Sequence, residues 1–394
     1  MEIKFSDRAN GLKASEIREL LKLTQRPEVI SFAGGLPAPE LFPIEQLKEV
    51  TTKVLDEQGA QSLQYSTTEG YLPLREIIVN ERMAKNGVKT TVDNILVVSG
   101  SQQALEFSAK LFVNKGDVII CESPSYLGAL NAFKAYEPEF VEIPMDDDGM
   151  EVDKLEEALK NNNNVKMIYT IPDFQNPSGK TMSIERRKRI AELAAEYKVP
   201  VIEDSPYGEL IFEGKPYPCI KSFDKAGYVV TLGTFSKTFC PGLRLGWICA
   251  EEEILKKYVM IKQGADLQSN TFTQMIAARF MQEHNLDEHI NKIIEVYRKR
   301  RDLMLESMEK YFPKEVTFTY PKGGLFTWVN LKEGIDAAEV NKEALKQNVA
   351  FVPGGSFYPN GGNKNHFRLN YSNMSEEKIV EGIKRLGEVL KKFY

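Results

Sequence analysis

The stretch from about residue 94 to 250 limits the possible folds most, because short apolar runs alternate there with amphipathic ones. Asn94–Ser99, Asp117–Glu122, Val165–Ile171, Pro200–Glu203, Tyr228–Leu232 and Leu245–Ala250 read as strands with both faces buried. Between them lie helical patterns such as Ser183–Lys198. This alternation predicts an α/β fold: an open, mostly parallel sheet covered by helices on both faces. Ligands in such sheets bind beyond the carboxyl ends of the strands, so chemistry is to be sought just after each one. Beyond about residue 285 the pattern changes. A long charged helix over Leu286–Tyr311 precedes short strands at Val316–Tyr320 and Leu325–Asn330. A helix, a strand ending at Pro353, another at His366–Tyr371 and a closing helix from Ser375 follow. The expected division is a large domain over 46–285 and a smaller α+β domain built from 1–45 and 286–394.

The chain has 394 residues, 42% of them hydrophobic and 27% charged, which supplies a large core and excludes wholesale disorder. Fifty-one basic against fifty-six acidic side chains leave a net charge of −5, which argues against nucleic acid as the main partner. Cys121, Cys219, Cys240 and Cys249 lie far apart with no C-x-x-C, as suits a reducing cytoplasm. His284 and His289 are five apart, the wrong spacing for one helical metal face, so no metal is expected. The charged start has no apolar signal-peptide core, and no run approaches the roughly 18–20 apolar residues of a membrane span. Asp146, Asp147, Asp148 and Gly149 lack calcium-loop spacing and read as a solvated turn ahead of a helix.

The strand ends carry an unusual set of groups. Gly100-Ser101-Gln102 opens a helix, where free N–H groups and the helix dipole favour an anion. An ordinary N-cap is an equally good account of those residues alone. Tyr126 follows the second strand and either stacks on a planar ligand or simply packs. After Ile171 comes Gly179-Lys180-Thr181, but a phosphate loop needs glycine where Phe174 stands. What remains is an Asn-Pro turn presenting Asn176. Asp204 ends the next strand; it is either a turn residue or a carboxylate facing a cation. Lys237, between Phe235 and Phe239, is expected to be partly desolvated, which lowers an amine's pKa and makes it a nucleophile and base. Arg244 and Ser236 suit a phosphate. A serine hydrolase of the S-x-x-K type is broken by Thr234 at its first position. Together these groups match pyridoxal 5′-phosphate (PLP), a phosphorylated cationic pyridine attacked by an amine.

The sequence resembles the fold-type I, class I/II aminotransferases over nearly its whole length, close to the branch with 2-aminoadipate and kynurenine aminotransferases. The carrying stretches are Ser31–Pro37, Gln64-Tyr65 with Gly70-Tyr71, Gly100–Leu105, Asp173–Gly179, Val201–Tyr207, Thr234–Lys237, Pro241–Arg244, Pro321–Phe326 and Phe367–Asn370. The resemblance implies that Lys237 carries PLP as a Schiff base and that Asp204 pairs with the pyridine nitrogen. It implies that Asn176 and Tyr207 bond the phenolic oxygen and that Tyr126 stacks on the ring. Ser101, Gln102, Thr234, Ser236 and Arg244 would hold the phosphate, with Tyr65 reaching over from a second subunit of a homodimer. Arg368 would clamp the substrate carboxylate, with Gly35 and Asn176 nearby.

The implied reaction moves an amino group from an L-amino acid to 2-oxoglutarate by a ping-pong course. For the side-chain pocket, Ala14–Leu23 reads as an amphipathic helix on which Arg18 meets a distal carboxylate or faces solvent. A movable helix there would admit 2-aminoadipate, glutamate, leucine or aromatic donors. Two alternatives stand beside this: a PLP lyase or synthase on the same fold, and a PLP-sensing regulator. The regulator carries an added winged-helix domain, whereas the pattern here begins within the first 40 residues.

Overall fold

The computed structural model describes residues 3–11 and 28–394. Its strands are β1 (Ile30–Ser31), β2 (Ile95–Val98), β3 (Val118–Ser123), β4 (Glu139–Asp146), β5 (Gly149–Met150), β6 (Val165–Thr170) and β7 (Val201–Asp204). They continue as β8 (Val229–Thr234), β9 (Gly246–Cys249), β10 (Thr317–Phe318), β11 (Phe326–Asn330), β12 (Val349–Ala350), β13 (Val352–Pro353) and β14 (His366–Asn370). Among the described residues, eight strands form one sheet in the order β2-β9-β8-β7-β6-β3-β4-β5. The pairs from β8 through β4 are parallel, while β9 runs against both its neighbours. The mostly parallel sheet is thus as expected, and every residue of β2, β7, β8 and β9 is buried.

The sheet is covered on both faces. Val118, Ile120, Ile168 and Val201 pack with Leu155 and Leu193 from two helices. A larger apolar cluster takes in β2, then helix Leu286–Tyr311 through Tyr297 and Met304, and the closing helix through Leu386. That closing helix, Glu376–Leu390, is capped by Ser375, whose hydroxyl accepts from the Lys378 amide. The second sheet, β10-β11-β14-β13, is antiparallel throughout and brings Arg368 to its centre, in register with Trp328 and Val352.

Besides the two-residue β1 and β5, one longer strand escaped the sequence pattern. β4 (EFVEIPMD) is mixed in polarity because it lies near the sheet edge. Residues 146–149 turn the β4–β5 hairpin, so a short strand separates the turn from the helix that starts at Val152. Asp146 there accepts two bonds from Arg186, each 2.6 Å long. All four cysteines are buried and free, and no described helix is long and apolar enough to cross a membrane.

The loop after β6 is fixed from beneath by Arg187, whose side chain is wholly buried. It pairs with Asp173 at 2.6 and 3.2 Å and donates to the Pro172, Met182 and Pro218 carbonyls. Removing one partner of a buried ion pair strands the other charge, at a cost of about 3–5 kcal/mol. Arg187→Leu should therefore lower the unfolding midpoint sharply at neutral pH; an unchanged midpoint would show that Asp173 is well solvated without it.

Candidate active site

Each residue singled out at a strand end lies on the same edge of the large sheet. Lys237 follows β8, and its ammonium donates to the Gly35 carbonyl at 2.8 Å. Burial, aided by the positive charge of Arg368 and Arg244, pulls its pKa from 10.5 down to about 8, with Asp204 opposing. Phe235 and Phe239 turn away into the core, where Phe235 meets Trp247 at 5.0 Å and Phe239 meets Phe280 at 4.6 Å between ring centroids. They anchor the turn that presents the lysine.

Asp204 ends β7 and is 2% exposed. Tyr169 donates its hydroxyl to Oδ2 at 3.0 Å, while Oδ1 is buried without a partner. Burial lifts this carboxyl to about 7, against the pull of Tyr169 and Lys237. A buried carboxylate oxygen lacking a donor is costly, and a cationic ring N–H is the partner that would satisfy it.

Arg368 reaches the site from β14. It donates to Asn176 Oδ1 and to the Ala33 carbonyl, both at 2.7 Å, and its Nε is buried with no partner. The guanidinium lies 4.1 Å from the Phe326 ring centre and 5.2 Å from that of Phe357. Burial lowers its pKa to about 10, which leaves it charged at neutral pH. Asn176 in turn donates to the Tyr207 hydroxyl at 3.2 Å, and burial pushes the pKa of Tyr207 up.

The anion cradle lies after β2. Gly100 has φ +79°, and a Cβ there would stand 2.5 Å from an Arg244 nitrogen, so only glycine lets the arginine close over the turn. Ser101 starts the helix Ser101–Phe112 with its hydroxyl buried and unpartnered. Thr234 donates to Ser236 at 3.0 Å, and Arg244 bonds the Ser99 carbonyl at 3.2 Å. Gln102 donates to the Gly128 carbonyl at 2.9 Å, joining the cradle to the helix that Tyr126 caps. Hydroxyls, a guanidinium and a helix N-terminus are a donor set suited to phosphate. The residues present therefore fit PLP at both its nitrogen and phosphate ends.

Two candidates stand apart. Tyr65 is 79% exposed, and no bond joins it to the cradle of its own chain. Arg18, with the helix expected around it, lies outside the described residues. Several participants had no sequence signal. Tyr169 sits inside an apolar run, and Ala33 acts through its carbonyl, as does Gly35, which was expected at the site. Glu122 is wholly buried and accepts from Thr170, the Ile171 amide and Gln175; Gln175 also bonds the Pro124 carbonyl at 2.8 Å. It thereby ties the Tyr126 and Asn176 segments together. Among the described residues, one surface trio, Glu49, Glu283 and His284, groups metal-type ligand atoms, and Lys53 already bonds both of its carboxylates.

Fold and site together define a PLP-dependent enzyme of fold-type I that acts on amino acids. The chain belongs to the aminotransferase class I and II family, whose model matches residues 33–386. It is 50% identical to aromatic-amino-acid aminotransferase 1 of Thermococcus litoralis, covering 98% of this chain and 94% of that one. It is 43% identical to 2-aminoadipate transaminase of Thermus thermophilus, covering 98% and 96%. Among solved structures, Pyrococcus horikoshii kynurenine aminotransferase in complex with PMP superposes with a TM-score of 0.95 at 45% identity, covering 99% and 97%.

The lowered pKa of Lys237 has a kinetic consequence. Only the neutral amine attacks an aldehyde, and its fraction rises about tenfold per pH unit below the pKa. PLP uptake by apoenzyme should accelerate with pH and level off near 8; a rate still climbing toward 10.5 would contradict the desolvated lysine.

Proposed function

We propose that this aminotransferase passes the amino group of an L-amino acid to 2-oxoglutarate in two half-reactions of a ping-pong cycle, as a cytoplasmic homodimer. The observation that carries this reading is Arg368: a buried guanidinium with one free nitrogen, bonded to the same Asn176 that faces Tyr207. A planar fork of that kind suits the α-carboxylate common to amino and oxo acids. In this reading residues 46–285 form the cofactor-binding domain, and 1–45 with 286–394 form the domain that brings Arg368.

The chain's own groups divide the work. Ser101, Gln102, Thr234, Ser236 and Arg244 bind the phosphate, joined by Tyr65 of the partner subunit. Tyr126 stacks on the ring, Asn176 and Tyr207 bond its phenolic oxygen, and Asp204 keeps its nitrogen protonated. When bound, PLP supplies an electrophilic carbon for the amino group and a ring that takes up electron density. The Lys237 amine removes the substrate's α-proton and later returns it as a general acid. Arg368, with Asn176 and Gly35 beside it, orients the amino acid so that its α-hydrogen faces Lys237.

The activities that name the relatives support aromatic amino acids and 2-aminoadipate as donors, and glutamate and leucine complete the proposed range. Purified enzyme offered each donor with 2-oxoglutarate should form glutamate (or, from glutamate itself, consume it against another oxo acid). Double-reciprocal plots should be parallel. Breakdown of the donor with no amino transfer would favour a lyase. Asp204→Asn should slow the amino-acid half-reaction by about 10²–10³-fold, the scale of losing one charge stabiliser in the site. A loss below threefold would show that Asp204 does not govern the ring nitrogen. Arg18→Ala should weaken 2-aminoadipate turnover more than leucine turnover; equal losses would take Arg18 out of the side-chain pocket.

A further inference from the structure

Behind the anion cradle lies an ion pair, its lysine buried and its aspartate exposed, that the reaction does not use. The Lys262 side chain is fully buried at the end of helix Glu252–Gln263, and its ammonium lies 2.8 and 3.0 Å from the two carboxylate oxygens of Asp266. Gln103 bridges this pair to the cradle. Its oxygen accepts from Lys262 at 3.1 Å and from the Ser99 amide at 2.9 Å, while its nitrogen donates to Asp266 at 2.7 Å. Ser99 is the residue whose carbonyl takes Arg244, and it immediately precedes Gly100 and Ser101. The same turn reaches the other way. Two residues beyond Asp266, Gln268 accepts from the Ser66 amide, next to exposed Tyr65. Leu267 between them takes a positive φ of 63°, a strained conformation for leucine that the flanking bonds hold in place.

We propose that Lys262, Asp266 and Gln103 form a positioning brace that sets the Ser99–Ser101 turn for the cofactor phosphate and couples it to the arm carrying Tyr65. A fully buried lysine side chain is costly unless a carboxylate meets its charge, and Gln103 helps to hold Asp266 there. Gln103 can accept from Lys262 and the Ser99 amide together only when the turn has one geometry. The brace touches neither the ring nor the substrate, so it should act on phosphate affinity alone. This rests on the placement of the phosphate proposed above.

The test is PLP titration of apoenzyme, read by the colour of the lysine-bound cofactor, together with the pH at which that colour changes. Lys262→Met and Gln103→Leu should each raise the PLP dissociation constant about tenfold or more, as expected when a buried polar partner is lost. Inhibition of PLP uptake by inorganic phosphate should weaken in parallel, while the pH of the colour change stays at the wild-type value, because ring contacts are intact. Lys262→Arg should recover part of the affinity. If Lys262→Met does not fold, Gln103→Leu, which leaves the ion pair intact, decides alone. An affinity within twofold of wild type for Gln103→Leu would overturn the brace, as would a colour change shifted along with the affinity. Ser101→Ala is the control: if it also leaves the affinity unchanged, the phosphate placement itself has failed.

Discussion

Two carbonyls of one short segment hold the two cations on which the site depends. Gly35 takes the ammonium of Lys237 and Ala33 takes the guanidinium of Arg368. The segment is itself pinned to the small sheet: Phe32 accepts from the Asn370 amide and donates to Ala350, and the Leu36 carbonyl takes the Ser372 hydroxyl. One stretch of extended chain thus connects the lysine of the large sheet to the arginine of the small one. Burial first, and the nearby charge of Arg368 second, lower the pKa of Lys237.

Three of the buried atoms left without partners, Asp204 Oδ1, Arg368 Nε and Ser101 Oγ, lie at this site. Each asks for different chemistry: a cationic N–H, a carboxylate and a phosphate. A buried polar group left unmet costs about 1–3 kcal/mol, so ligands that supply these three features are favoured here. A cofactor and an amino acid together supply them. Binding should accordingly stabilise the fold as well as enable the reaction.

The large sheet was legible because strands buried on both faces are largely apolar, as β2 and β9 are throughout. β4 was not, since it lies one strand from the edge and pairs with β5 only at Met145 and Asp146, which leaves it mixed in polarity. Lys237, Asp204, Asn176 and Arg244 showed themselves as polar residues just past apolar runs. Their supports did not. Tyr169 meets Asp204 only through the register of β6 against β7, which pairs Thr170 with Glu203. Ala33 acts through a backbone oxygen that every residue has, and Gly35 was marked by the family resemblance rather than by its residue type. Gln103 and Lys262 are far apart in sequence and ordinary in type, and meet only once two helices pack. Tyr65 is exposed, so the part proposed for it would need a second copy of the chain.

In the proposed reaction the amine at position 237 bonds the cofactor, and burial together with the charges of Arg368 and Arg244 keeps that amine reactive. Reduction of the PLP-loaded enzyme with borohydride, followed by digestion and mass spectrometry, tests this directly. A single pyridoxyl-modified peptide is expected, with the added mass on Lys237. A label on any other lysine, or none on a protein that is yellow before reduction, would contradict it.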